Sequence, residues 1–229
     1  METIGLIGGM SWRSSLEYYK IINETIQKKL WGWNSAKVLL YSVNFNDIDL
    51  EHTTNDREKS DAILIDTAKK LEQWWANFIL LCANTAHVLI DKIEENIDIP
   101  VLHIADATAE KIIAKNITRV GLLGTKHTMQ EDFYKGRLEK KYWLEVIVPE
   151  EQEREIVHKE INNLCLWINN PWAKQVFIVA INNLAKNGAE AVILWCTEIP
   201  LIIQPEDVDV ILFDTTRIHA ESAAELSLM

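Results

Sequence analysis

Short apolar runs alternate with longer stretches whose apolar residues recur at helical spacing. Thr3–Ile7, Lys37–Val43, Phe78–Leu81, Val101–Ile104, Arg119–Leu123, Leu144–Ile147, Ala191–Leu194 and Val210–Phe213 read as strands. Between them, Ser14–Lys29, Asp56–Gln73, Ala86–Ile93, Ala105–Ala114 and Met129–Lys140 read as helices. A helical hairpin is expected over about Glu151–Asn187, and a helix closes the chain. Strands that alternate with helices predict an α/β fold of mainly parallel sheets covered on both faces, because a parallel crossover needs a helix to return the chain.

The pattern repeats. Thr3 through Gly8 matches Arg119 through Gly124, and Leu71 through Ala83 matches Leu184 through Cys196. Ile97 through Leu102 resembles Val208 through Leu212. Three segments at nearly constant offset predict two pseudosymmetric lobes, each a short mainly parallel sheet flanked by helices. The boundaries expected are 1–98 plus 208–229 for the N-terminal lobe and 99–207 for the C-terminal lobe. Ligands of such sheets bind beyond the carboxyl ends of the strands, which predicts an active site in the cleft between the lobes.

Four loops follow strand ends and are small or hydroxyl-rich: Gly8-Gly9-Met10-Ser11, Ala83-Asn84-Thr85, Gly124-Thr125-Lys126-His127-Thr128 and Cys196-Thr197-Glu198. Backbone amides in such loops suit a carboxylate or phosphate. The glycine pattern matches neither a dinucleotide fingerprint nor a Walker loop. Cys196 ends an apolar strand and begins a polar loop, a setting expected to lower a thiol's pKa; a buried, inert cysteine is the alternative. Cys165, between Leu164 and Leu166, reads as core packing, and His103 as structural. His87 reads either as lining the site or as packing and capping.

Composition narrows the partners. The 229 residues carry 23 basic and 34 acidic side chains, a formal charge of −11, which argues against nucleic acid or an anionic membrane surface. No apolar run nears the ~20 residues of a membrane helix, and the first residues lack a cationic leader, so a cytoplasmic protein is expected. Three cysteines, Cys82, Cys165 and Cys196, are too few and too scattered for a disulfide framework or a zinc ribbon.

The motifs Gly5-Leu6-Ile7-Gly8-Gly9-Met10-Ser11-Trp12, Asn84-Thr85-Ala86-His87, Leu102-His103-Ile104-Ala105-Asp106-Ala107-Thr108, Leu123-Gly124-Thr125, Cys196-Thr197-Glu198-Ile199 and Phe213-Asp214-Thr215 together resemble the aspartate/glutamate racemase family, including its broad-specificity amino-acid racemases. The resemblance spans essentially the whole chain. It implies a homodimeric, cofactor-independent enzyme acting on a small amino acid. Two acid/base groups flank the α-carbon on opposite faces; one removes its proton and the other returns one. Without a cofactor as electron sink, fixed dipoles must stabilise the enediolate-like intermediate. Substrate contacts implied by the motifs are Met10, Ser11, Asn84, Thr85, Thr125, Thr197 and Glu198, with His52 more loosely anchored. Arg13, Arg57, Lys126 and Lys159 are the candidates for a side-chain-carboxylate clamp, each also readable as a surface charge.

The sequence departs from the family at the first catalytic position. Relatives carry Cys-Asn-Thr or Thr-Asn-Thr there; this chain has Ala83-Asn84-Thr85. The internal repeat also pairs Ala83 with Cys196. Ala83 has no proton to exchange. Cys82, one residue earlier, is expected to face the sheet packing, since adjacent strand side chains point to opposite sides, unless a bulge turns it inward. Cys196 is therefore the one well-placed acid/base. Thr85, His87, a water or a repositioned Cys82 must serve the other face; otherwise the chain is a one-base, decarboxylase-like enzyme or a non-catalytic amino-acid-binding relic.

Nine Trp against eight Gly is unusual, because the usual Gly share of about 7 % would give roughly 16. Trp75 pairs with Gly188 in the repeat, Trp195 precedes Cys196, and Trp143 and Trp167 fall at element ends where glycine is common. Either these are surface or interface aromatics, or Trp75, Trp143, Trp167 and Trp195 are glycines encoded by UGA and misread as tryptophan.

Overall fold

The computed structural model describes residues 1–48, 57–130, 132–166, 168 and 170–229. The chain divides into two units, Met1–Ala107 with Thr216–Met229, and Thr108–Thr215.

In the first unit, β1 (Thr3–Gly8) leads into α1 (Trp12–Leu30), then β2 (Lys37–Ser42), α2 (Arg57–Gln73), β3 (Phe78–Leu81), the short α3 (Ile90–Glu94) and α4 (Ile104–Ile113), which runs on into the second unit. The three strands form a parallel sheet in the order β2-β1-β3. Ile4 and Leu6 pack on one face with Tyr18, Ile22, Phe78 and Leu80. Ile7, Ile79 and Leu81 pack on the other with Leu64, Ala68 and Leu71 of α2. Two buried faces explain why β1 and β3 read as continuous apolar runs without alternation.

The second unit repeats the plan. Here β4 (Arg119–Gly124), the short α5 (Lys126–Gln130), α6 (Asp132–Tyr142), β5 (Glu145–Ile147), α7 (Glu151–Cys165), α8 (Ala173–Lys186), β6 (Ala191–Trp195) and β7 (Ile211–Asp214) follow in order. The parallel sheet is ordered β5-β4-β6-β7. In both units the first strand is flanked by the second and third, as the sequence repeat requires. The chain closes with α9 (Thr215–Leu226), whose Ala220, Ala223 and Ala224 pack in the first unit's core.

The structure differs from the sequence reading in several elements: the helix expected over Ala86–Ile93 is a 3₁₀ turn, Thr85–Leu89, followed by α3, and the one expected over Met129–Lys140 is divided between α5 and α6. Val101–Ile104 is not a strand: Val101 makes a single bridge to Ile79, and Ile104 already opens α4. The turn is set by His103, whose Nδ1 accepts the Ala105 N–H at 3.0 Å. The expected boundaries also shift. β7 pairs with β6 from Ala191↔Ile211 to Leu194↔Asp214, so 208–215 groups with the second unit and 99–107 with the first. A fully buried β6 needs neighbours on both edges, and β4 and β7 supply them.

Candidate functional site

The first loop is shaped by Gly9, at φ +92°; a Cβ there would lie 2.1 Å from the Val43 carbonyl oxygen, so no other residue fits. Its N–H donates to Ser15 Oγ at 2.8 Å, and Ser14 Oγ donates to the Cys82 carbonyl at 2.6 Å. The start of α1 is thereby fastened to the end of β3, bringing the loops at Met10-Ser11 and Ala83-Asn84-Thr85 into one neighbourhood. Met10, Ala83 and Asn84 are buried and Ser11 and Thr85 half-buried.

Cys82 is fully buried in the apolar cluster around Tyr18, Leu80 and Ala220, and burial pushes its thiol far up. Ala83 packs on the other side, with Leu81 and Ala86. His87 is buried too; its Nδ1 faces the Ala83 and Asn84 carbonyls at 2.9 and 3.2 Å, so that nitrogen carries the proton and braces the loop. Behind it lie the rings of His103 and His219, at centroid distances of 5.1 and 5.6 Å. His219 lies between Leu102 O, 2.8 Å from Nε2, and Tyr18 Oη, 2.9 Å from Nδ1. The carbonyl must accept, so Nε2 donates to it and Nδ1 accepts the phenol proton. Burial, then the neighbouring His87, lower its pKa to about 3. The His219–Tyr18 pair was not singled out in the sequence.

In the second unit Cys196 Sγ donates to Glu198 Oε2 at 3.1 Å, and Thr197 Oγ1 donates to the same oxygen at 2.6 Å. Cys196 and Glu198 are both buried. The thiol sits well above its ordinary pKa: a hydrogen bond with Cys165 is the largest cause, then burial, then the Glu198 carboxylate. This reverses the expected lowering. The loop after Cys196 enters a three-residue 3₁₀ turn, Ile199–Leu201, not a helix whose dipole could favour a thiolate. Cys165, read as core, is solvent-exposed, and its thiol meets Cys196. The signal was its position four residues after Ile161 and eight after Val157, which puts it on the same side of α7 as those two buried residues but at the exposed end of the helix.

Thr125 Oγ1 lies 2.9 Å from Thr128 Oγ1 at the start of α5. Of the candidate clamps, Lys126 is ion-paired with Glu155. Arg13 lies over the Trp12 ring at 4.7 Å, and Lys159 is exposed. His52, Trp167 and the side chain of Arg57 lie outside the described residues. Among the described residues no group of three or more His, Cys, Asp or Glu could hold a metal ion, and no helix is long and apolar enough to cross a membrane.

Residues 7–223 match the model of the Asp/Glu/hydantoin racemase family. The chain belongs to that family. The racemase relatives include the broad-specificity amino-acid racemase RacX of Bacillus subtilis (strain 168), 24 % identical over 98 % of both chains. A crystal structure from Yersinia pestis assigned to the Asp/Glu racemases superposes with a TM-score of 0.94 at 41 % identity, covering 100 % of each chain. An aspartate racemase homologue from Pyrococcus horikoshii OT3 gives 0.87 at 36 % identity, again over 100 % of each. These relatives match along their whole length, so both units belong to the racemase fold.

Proposed function

We propose that this chain is a cofactor-independent amino-acid racemase acting in the cytoplasm on an aspartate-, glutamate- or broader-range substrate, with Cys196 as one acid/base. The observation that carries the reading is the Cys196–Glu198 pair, 3.1 Å apart and buried at the carboxyl end of β6, in a chain of a racemase family. A thiol held protonated beside a carboxylate is set to deliver a proton to a carbanion. In the reverse direction Glu198 can take the thiol proton, leaving a thiolate to remove the α-proton. The hydroxyls and amides of Thr125 and Thr197, and the loops at Met10, Ser11, Asn84 and Thr85, are assigned to the substrate's carboxylate and amine, where fixed donors stabilise the enediolate.

A one-base reading is favoured by one observation: Ala83 offers only a methyl group at the position repeat-equivalent to Cys196. Thr85, His87, solvent or Cys82 would then have to supply the opposite proton. Incubation with each enantiomer of aspartate and glutamate in deuterated water separates the readings. Racemisation gives deuterium at Cα with inversion. Exchange of a single enantiomer without inversion marks a one-base enzyme, and binding without exchange marks a relic. Cys196→Ser should abolish all exchange; full-rate exchange in that variant refutes the site.

A further inference from the structure

We infer that positions 31, 75, 143 and 195 are glycine in the protein as its source organism makes it, their codons being UGA read as glycine. The inference is independent of which reaction Cys196 performs.

Among the described residues, four other than glycine have positive φ: Trp31, Trp75, Asn116 and Trp143, at +57°, +66°, +59° and +54°. Asparagine enters this region readily because its short amide bonds locally, whereas a bulky residue there is an outlier. Three tryptophans at such positions share one cause more simply than three separate accidents.

Each stands where a helix stops. After α2, the Trp75 N–H donates to Glu72 O and the Ala76 N–H to Leu71 O, both at 3.0 Å. After α8, the Gly188 N–H donates to Ala185 O and the Ala189 N–H to Leu184 O, both at 3.0 Å. The hydrogen bonds correspond residue for residue through the repeat, and the copy with glycine adopts φ +96°. This is the left-handed helix stop that glycine commonly occupies. After α6, the Trp143 N–H donates to Glu139 O at 3.1 Å and the Leu144 N–H to Leu138 O at 3.2 Å. After α1, Trp31 has φ +57° and ψ 171°, a combination essentially confined to glycine. These three indoles are 79 %, 83 % and 85 % exposed, so burial gives no reason for them.

Position 195 fails for a different reason. Its indole is 1 % exposed and rests on Gly124, where an added Cβ would come within 3.3 Å of the indole Cδ1. The rings of Trp195 and buried Tyr134 have centroids only 3.2 Å apart at 33°. Favourable aromatic pairs keep about 4.5–7 Å, so these two overlap. Glycine at 195 removes the overlap and leaves the residue before Cys196 without a side chain. The four exchanges would raise Gly from 8 to 12 and lower Trp from 9 to 5, toward the ordinary share.

Two measurements decide it. Sequencing of the gene should give UGA at codons 31, 75, 143 and 195, with UGG expected at Trp12, Trp74 and Trp172, whose backbones do not have positive φ. Peptide mass spectrometry of the protein isolated from its source cells should show glycine at all four positions. UGG at any of the four codons, or tryptophan at any of them in the native peptides, overturns the inference.

Discussion

Trp75→Gly and Trp143→Gly should stabilise the protein, although each deletes the largest side chain there is. A left-handed backbone costs a residue with a Cβ roughly 1–2 kcal/mol, and glycine nothing. Against that, glycine gives the unfolded chain more freedom, worth about 0.4–1 kcal/mol. Little burial is lost, since the two indoles are 83 % and 85 % exposed. The balance is a gain of about 0.5–1 kcal/mol at each site. The sites lie in separate units and share no partner, so the double variant should gain about 1–2 kcal/mol. For a chain of this size that corresponds to a rise in Tm of roughly 2–8 °C. Urea unfolding, followed by circular dichroism and by fluorescence, measures the gain as a shift in midpoint at unchanged slope. Gly188→Ala makes the opposite change at the repeat-equivalent turn and should lose about 1 kcal/mol. Trp33→Gly, at an exposed position without positive φ, is the control and should not stabilise. If Trp75→Gly and Trp143→Gly leave the midpoint unmoved or lower it, left-handed strain is not what these residues impose.

The buried His219 predicts acid sensitivity. Its folded pKa, about 3, lies below the unfolded value of 6.5, so its contribution is complete above about pH 6.5 and is lost as the pH falls toward 3. The loss reaches about 4 kcal/mol at the bottom of that window; a stability profile that is flat from pH 7 to 4 would contradict the lowered pKa of His219. Cys165→Ala removes the largest cause of the raised Cys196 pKa, so alkylation of Cys196 should begin at lower pH; an unchanged profile means the two thiols do not interact. A homodimer is proposed through the groove of about 350 Å³ lined by Trp12, Leu16, Tyr19, Val38 and Leu40 on α1 and β2. There β2 is an edge strand of the first unit's sheet among the described residues, and Trp12, Leu16, Tyr19 and Leu40 are exposed. Leu16→Glu should then shift sedimentation from dimer to monomer, and a wild-type monomer would refute the proposal.

What could be read from the sequence, and what could not, divides along a physical line. Apolar runs such as Phe78–Leu81 and Ala191–Leu194 are buried on both faces, so burial alone marked them as strands. The repeat then predicted a second copy of the same plan, and β1 and β4 are each flanked by the two strands that correspond. Val101–Ile104 is apolar apart from His103, and its outcome depended on His103 receiving the Ala105 N–H, a single hydrogen bond that no periodicity encodes. Chemistry obeyed the same division. Cys196 and Glu198 were visible as types at a strand end, because position along a strand follows from the pattern. The direction of the thiol's pKa was not, because it depends on Cys165, which is 31 residues earlier and reaches Cys196 only through folding. The expected dipole effect needed a helix after Cys196, and the chain spends those residues on one 3₁₀ turn. Local rules therefore located the Cys196 sulfur at a strand end, and tertiary contacts set its proton affinity. The tryptophans combine both levels: composition and repeat pairing marked Trp75 from the sequence, and only the backbone angle shows why a side chain there is out of place.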